Sequence, residues 1–347
     1  MSVAAPLGIQ RHLEHSFPLL MSHYVAVTSV TLPFLSDGEW FWQSALPYQA
    51  EGNAYLRHSL LSLSALHISH LGPDNPREYF VAACAHQSRA SCLFREVVLE
   101  VNEHNCFEVF AFIVIVAIFH FYVSLRAGTS VRPNEPFNAF EVLFALRGGM
   151  QLASAQIVGL LIRSPLGALV GRLWDQTQFV MDEDMRQALA GLDMIDRVLN
   201  SPDQAHESCS QAAAFLRLWL FKFSTRPIGW LHIGSWPFLV PPDYLIALSE
   251  RRPAALAIFV YWCAAMSNAP RRWFLDGWAE RAADSAIEFL GAEWDDVLKW
   301  PRGVMQSKLN PFRPQQLKRA TVTGSAFSGS AGQPRQHLPL AGDPVCF

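Results

Sequence analysis

FEVFAFIVIVAIFHFYVSL, residues 107–125, is the stretch on which the fold turns. It is long enough to span a bilayer. Glu108 and His120 interrupt it, however, and no basic clusters flank it as they flank membrane helices. The reading that follows is a buried central helix of a large helical domain, with no membrane partner. Asn105 and Glu108, three positions apart, read as an N-cap pair opening this helix, and Gly128 as its stop.

Outward from this helix, apolar residues recur at helical spacing in both directions. Towards the N-terminus, residues 17–31 predict a first helix and a loop with Trp40, Trp42 and Pro47 follows. Residues 54–71 predict a helix with Leu56, Leu60, Leu63 and His67 on one face, stopped by Gly72-Pro73. Residues 77–102 predict another, with Ala83, Ala90, Leu93, Val97 and Val101 inward. Towards the C-terminus a polar loop over 129–136 precedes helices near 136–155, with a Gly148-Gly149 break, 166–181 and 183–199. Ser201-Pro202 then starts a helix over 203–223. The prolines and glycines of 225–242 read as a long loop, long enough to shape a site. Helices near 243–250, 253–267 and 276–290 complete the body. Alternating β-branched runs are absent, so the fold class is all-α: one large domain of roughly ten helices. Its divisions are a lead-in over 1–16, the helical body over 17–303, and a Ser/Gly/Pro-rich tail over 304–347 expected to be disordered.

The chain is 51% hydrophobic and 16% charged, with 11 Trp and 24 Phe, which implies a large aromatic core. Of its 27 basic and 30 acidic residues, five basic and one acidic lie after residue 305, so the body carries 22 and 29 and a net charge of −7. Phosphate binding draws on a basic surface, so direct nucleic-acid binding is not expected.

Six cysteines lie at 84, 92, 106, 209, 263 and 346, without a Cys-x-x-Cys step. They read as reduced core thiols, not a metal site. His12 with His15 and His67 with His70 have the i, i+3 spacing of a metal pair, but the His-Glu-x-x-His order is missing. No nucleophile elbow, phosphate loop or dinucleotide fingerprint occurs. Asp182-Glu183-Asp184 and Asp295-Asp296 read as solvated faces. No catalytic constellation, metal or cofactor is therefore expected.

Trp219, Trp230, Trp236, Trp262, Trp273 and Trp278 gather around the proline-rich segment. They pack a core or wall a pocket for a flat apolar molecule. The expectation is an apolar cavity bounded by the helices 107–125, 203–223 and 253–267, with His120, Trp219 and Trp262 as ligand-binding lining.

Several short stretches occur in a recognisable order: LLMSHYVAVTSVTL (19–32), Leu146-Arg147-Gly148-Gly149, Trp236-Pro237, RPAALAIFVYWC (252–263), WFLDGWA (273–279) and WDDVLKWP (294–301). Together they resemble the C-terminal effector domain of fungal Zn2Cys6 transcription regulators, the branch of the sterol uptake control proteins. The resemblance covers about residues 17–303. It implies a helical domain that senses a small molecule and controls activation and nuclear entry. The family's six-cysteine zinc cluster has no counterpart in the sequence, so the expected protein is a regulatory half without its DNA reader. A missing first exon, a stand-alone co-regulator and a pathway protein using the same pocket all fit that gap. The leading expectation is a ligand-responsive regulator of a metabolic or biosynthetic pathway, in the nucleus, partnered by other regulators or by a second copy of itself. The alternative is a cytoplasmic enzyme or carrier acting on a terpenoid- or polyketide-like intermediate, a cyclase or isomerase with His120 as its acid or base.

Overall fold

A computed structural model describes residues 17–33, 38–72, 74–127, 129, 137–151, 155–164, 166–168, 171, 181–198, 204–225 and 229–309. The lead-in 1–16, the loop 129–136 except Thr129, most of the 166–181 helix, the Ser201-Pro202 start and the tail beyond residue 309 lie outside them. The fold is all-α, and no strand occurs among the described residues.

Helix α1 covers residues 17–31. Its first turns are regular, but Tyr24–Thr28 widen to a π turn and Ser29–Thr31 tighten to 3-10. The Ser29 hydroxyl donates to the Val25 carbonyl four residues back, the kind of side-chain competition that disturbs a helical ladder. Leu20, Tyr24 and Thr28 face inward, and the Tyr24 hydroxyl donates to the Trp42 carbonyl at 2.9 Å. Residues 41–52, expected as a loop, are helical: a π turn over Phe41–Ala45 runs into α2, Leu46–Gly52. Pro47 is the second residue of α2, which follows directly on the π turn.

Helix α3 spans Ala54–Leu71. Asn53 caps it by accepting from the Leu56 amide at 3.3 Å, and Gly72 ends it at φ 72°, a left-handed position suited to glycine. Four buried serines line α3, and each donates to a carbonyl. Ser62 reaches Ala83 on α4 (Pro76–Val97), and Ser64 reaches Leu20 on α1. Small hydroxylated side chains thus bring three helices together with their polar groups satisfied.

Helix α4 stops at Val97, short of the expected 102, and Val97 is 67% exposed where an inward position was expected. A turn closes the gap: the Asn105 side chain accepts from the Asn102 amide and donates to the Glu100 carbonyl. Asn105 therefore organises the turn and does not cap the next helix with its side chain. That helix, α5, spans Cys106–Leu125; by length and composition it is able to cross a membrane, yet 61% of its apolar window is buried inside the fold. It packs against α3, α6 (Phe140–Gln151) and α7 (Ala155–Arg163). Helix α6 runs through Gly148-Gly149 without the expected break.

The C-terminal half comprises α8 (Glu183–Val198), α9 (Gln204–Phe223), α10 (Trp230–Leu239), α11 (Pro242–Ser249), α12 (Pro253–Ser267), α13 (Trp278–Ile287) and α14 (Lys299–Leu309). Helix α10 lies inside the segment read as a long loop. It carries Pro237 within it, so one ladder bond is lost, and Trp230 and Trp236 are buried in return. Helix α14 continues past residue 303, the expected end of the body. At the centre is α12: every residue from Ala254 to Ser267 is buried, so it shows no polar face at all. Three hydrogen bonds return from this half to the end of α1. Trp230 Nε1 donates to the Leu32 carbonyl, Arg272 to the Pro33 carbonyl, and Trp273 Nε1 to Thr31 Oγ1, at 3.0–3.1 Å.

Candidate functional site

Of the six tryptophans expected to wall a pocket, Trp236, Trp262 and Trp278 meet at α12. Trp262 is fully buried, its ring centre 5.5 Å from Trp236 on α10, 5.8 Å from Phe259 and 5.9 Å from Trp278 on α13. Trp278 donates to Ser124 Oγ of α5 at 2.6 Å and meets Phe121 edge-on. Trp236 donates to the Ala212 carbonyl of α9 at 3.2 Å. A buried indole N–H needs an acceptor, and each of these two has one.

Trp219, on α9, points at α10: its Nε1 is shared between the His232 carbonyl at 3.0 Å and Ser235 Oγ at 2.8 Å. His120 is half-buried on α5 beside Phe119, and burial lowers its pKa while Glu141 on α6 works against that shift. The three residues thus hold different places. Trp219 and Trp262 flank α10 from the α9 and α12 sides, and His120 faces the α6 side of α5.

A second constellation gathers where α1, the end of α3, the end of α5 and the segment 268–277 meet. His67 is buried on α3; its Nδ1 lies 3.1 Å from Thr28 Oγ1, and its ring stacks on Trp273 with centres 5.0 Å apart. His23 stands 5.5 Å from His67, and His70 stands 5.6 Å from Trp273. Tyr122 on α5 meets Trp273 edge-on at 5.3 Å, and Arg126 donates to the Tyr122 hydroxyl at 2.5 Å and lies 3.4 Å from His70 Nδ1. His70 is exposed and Trp273 half-buried, so the niche opens to solvent at that end.

Burial, then the like charge of His23 and His70, holds the His67 pKa down to about 4. His23 is lowered by burial, and His70 by burial and then by Arg126, against Asp276. These imidazoles are neutral at pH 7: they donate and accept hydrogen bonds and offer flat faces. A similar pair joins α3 to α4, where His58 Nδ1 and His86 Nδ1 face each other at 2.9 Å. That bond needs one donor and one acceptor, so one ring must stay neutral, and burial holds His86 at about 4. Among the described residues no group of three or more His, Cys, Asp or Glu side chains is placed to hold a metal ion.

Spacing along α3 singles out His67 and His70, and the first helix carries His23. Arg126 and Arg272 were missed; no local signal ties residue 272 to residue 33, because that link is made by the fold alone.

No family model matches the chain. A protein of Gibberella zeae named a Zn(2)-C6 fungal-type transcription factor is 24% identical over 337 residues, an alignment covering 86% of this chain and 64% of that relative. This chain thus spans under two thirds of the length of the relative it matches. The likeness fits a fungal transcription regulator.

Proposed function

We propose that the chain is the helical effector domain of a fungal transcription regulator. It responds to an apolar small molecule and tunes a metabolic or biosynthetic pathway from the nucleus, akin to the sterol uptake control branch. The observation that carries this reading is the alignment with the Gibberella zeae protein, which spans 86% of the chain. The net charge of −7 over the body supports a domain that acts through other regulators, or through a second copy of itself, and does not grip DNA phosphates directly. The apolar ligand lies between α5, α9 and α12, with His120, Trp219 and Trp262 in its wall. The aromatic rings around α12 support the place of Trp262 in that wall.

Deletion of the gene tests the reading. Collective loss of one pathway's transcripts is the expected result. Normal transcripts with an accumulated intermediate overturn it in favour of a carrier or enzyme. Sterol and terpenoid titrations of the purified chain test the ligand: binding to the folded state alone raises the melting temperature. Full-strength binding by His120→Ala and Trp219→Phe variants removes these residues from the wall.

A further inference from the structure

Helix α1 presents an apolar face to solvent. Leu20, Tyr24 and Thr28 turn inward, where the Ser64 hydroxyl, the Trp42 carbonyl and His67 hold them to the body. On the other side Phe17, Leu19, Val25, Val27 and Val30 are exposed, Leu19, Val25 and Val30 by about half. No other described helix exposes more than two large apolar side chains. Residues 17–31 also contain no Asp, Glu, Lys or Arg, in a body of net charge −7. Among the larger side chains Ser22 and Ala26, one turn apart, are small and exposed, which leaves room for a second helix to approach. Donors from Trp230, Arg272 and Trp273 fix the end of α1 from below, so the face is presented on a held element.

We propose that the outer face of α1 is a self-association surface, occupied by α1 of a second copy of this chain. Charge selects that occupant. Two bodies of net charge −7 repel wherever acidic surfaces meet, and a two-fold contact sets residues close to the axis against their own copies. An uncharged helix lets identical copies meet with no like charges opposed. A basic partner is recognised at an acidic face, which α1 does not offer, and helices that lie on lipid carry Lys or Arg beside their apolar stripe, which α1 lacks. Area sets the strength. Helix α1 is about 22 Å long and about 10 Å across. One such face per copy falls short of the roughly 800 Å² per partner of a stable complex, so the dimer is weak, with a dissociation constant on the order of 10–100 µM. Its use in the cell rests on the reading above, of a domain that acts through a second copy; the surface itself is tested on the purified chain, so either can fail without the other.

The test is sedimentation equilibrium of the full chain at about pH 7.5, from about 1 to about 200 µM, a span that brackets that constant. A reversible monomer–dimer shift in mass is expected. Val25→Glu and Val30→Lys should each weaken association by at least about tenfold, because each puts an unpaired charge into the contact twice. Both positions are exposed, so an unchanged melting temperature shows that the variants fold. Ser22→Trp should weaken association without adding charge, by holding the helices apart. Parent-strength association in Val25→Glu overturns the proposal. So does an equal loss in Leu218→Glu, at an exposed apolar position on α9, since that would report general stickiness and not this face. A parent chain that stays monomeric to about 200 µM overturns it outright; sedimentation of that monomer with phosphatidylcholine vesicles, lost in Val25→Glu, would then assign the face to lipid.

Discussion

The indole of Trp300 donates through Nε1 to Oδ1 of Asp184 at 3.0 Å, tying α14 to the start of α8. Asp184 belongs to the acidic run read as a solvated face, and one of its carboxylate oxygens is instead a structural acceptor. Trp300 also stacks on Tyr261 of α12 at 5.3 Å. Trp300→Phe keeps the stack and removes the donor. It and Asp184→Asn should each destabilise the chain by about 1–2 kcal/mol, with a coupling of about 1 kcal/mol in a double-mutant cycle. Additive losses in urea denaturation would show that the bond contributes nothing.

Gly191, on α8, lies under the hydroxyl of Tyr261, where an added Cβ meets that oxygen and the ring carbon behind it. The Tyr261 hydroxyl is held by the Val297 carbonyl at 2.5 Å and cannot swing aside freely. Gly191→Ala should therefore cost about 1–3 kcal/mol by overpacking. Adding Tyr261→Phe should return part of that loss. A more stable Gly191→Ala protein would mean that the two helices separate without cost.

Stability should fall as pH is lowered from about 6.5 towards 4. The His67 pKa lies near 4 in the folded chain against 6.5 when unfolded, so the unfolded chain binds the extra proton across that window. The stabilising neutral state is fully present above 6.5 and is lost as pH falls. His86 adds in the same direction. Melting temperatures measured across this range should drop less in His67→Gln than in the parent. An identical slope would remove His67 from the account.

Trp262→Ala should destabilise by about 3–5 kcal/mol, the range for deleting a buried aromatic ring. Trp262→Phe, which preserves most contacts with Trp236 and Trp278, should cost much less. If both variants melt with the parent, the aromatic ring around α12 is not the centre of the core.

The elements that sequence alone delimited well are those with local punctuation. Pro253 opens α12 and an unbroken apolar run fills it; Gly72 stops α3. Helix α10 was misread because Gly229, Pro237 and Pro241 look like breakers, and only the burial of Trp230 and Trp236 against distant helices outweighs them. The Gly148-Gly149 pair misled in the same way. Asn105 sits one residue before a helix, as an N-cap should, yet its side chain is spent on the preceding turn. Of the candidate sites, the tryptophans announce themselves by number. The histidine niche does not, because His67 and Trp273 lie far apart in the chain and no pattern on α3 names its partner.

The end of α1 is gripped by donors from Trp230, Arg272 and Trp273. On the ribosome this order has a cost in time. The last partner of residues 31–33 is made roughly 240 residues after them, about 10–50 s later at about 5–20 residues per second. Trp42, Ser64 and His67 follow within about 45 residues and hold the body of α1, so what waits is its C-terminal end. A protein shortened before Trp230 would keep α1 and lose all three donors that hold its C-terminal end.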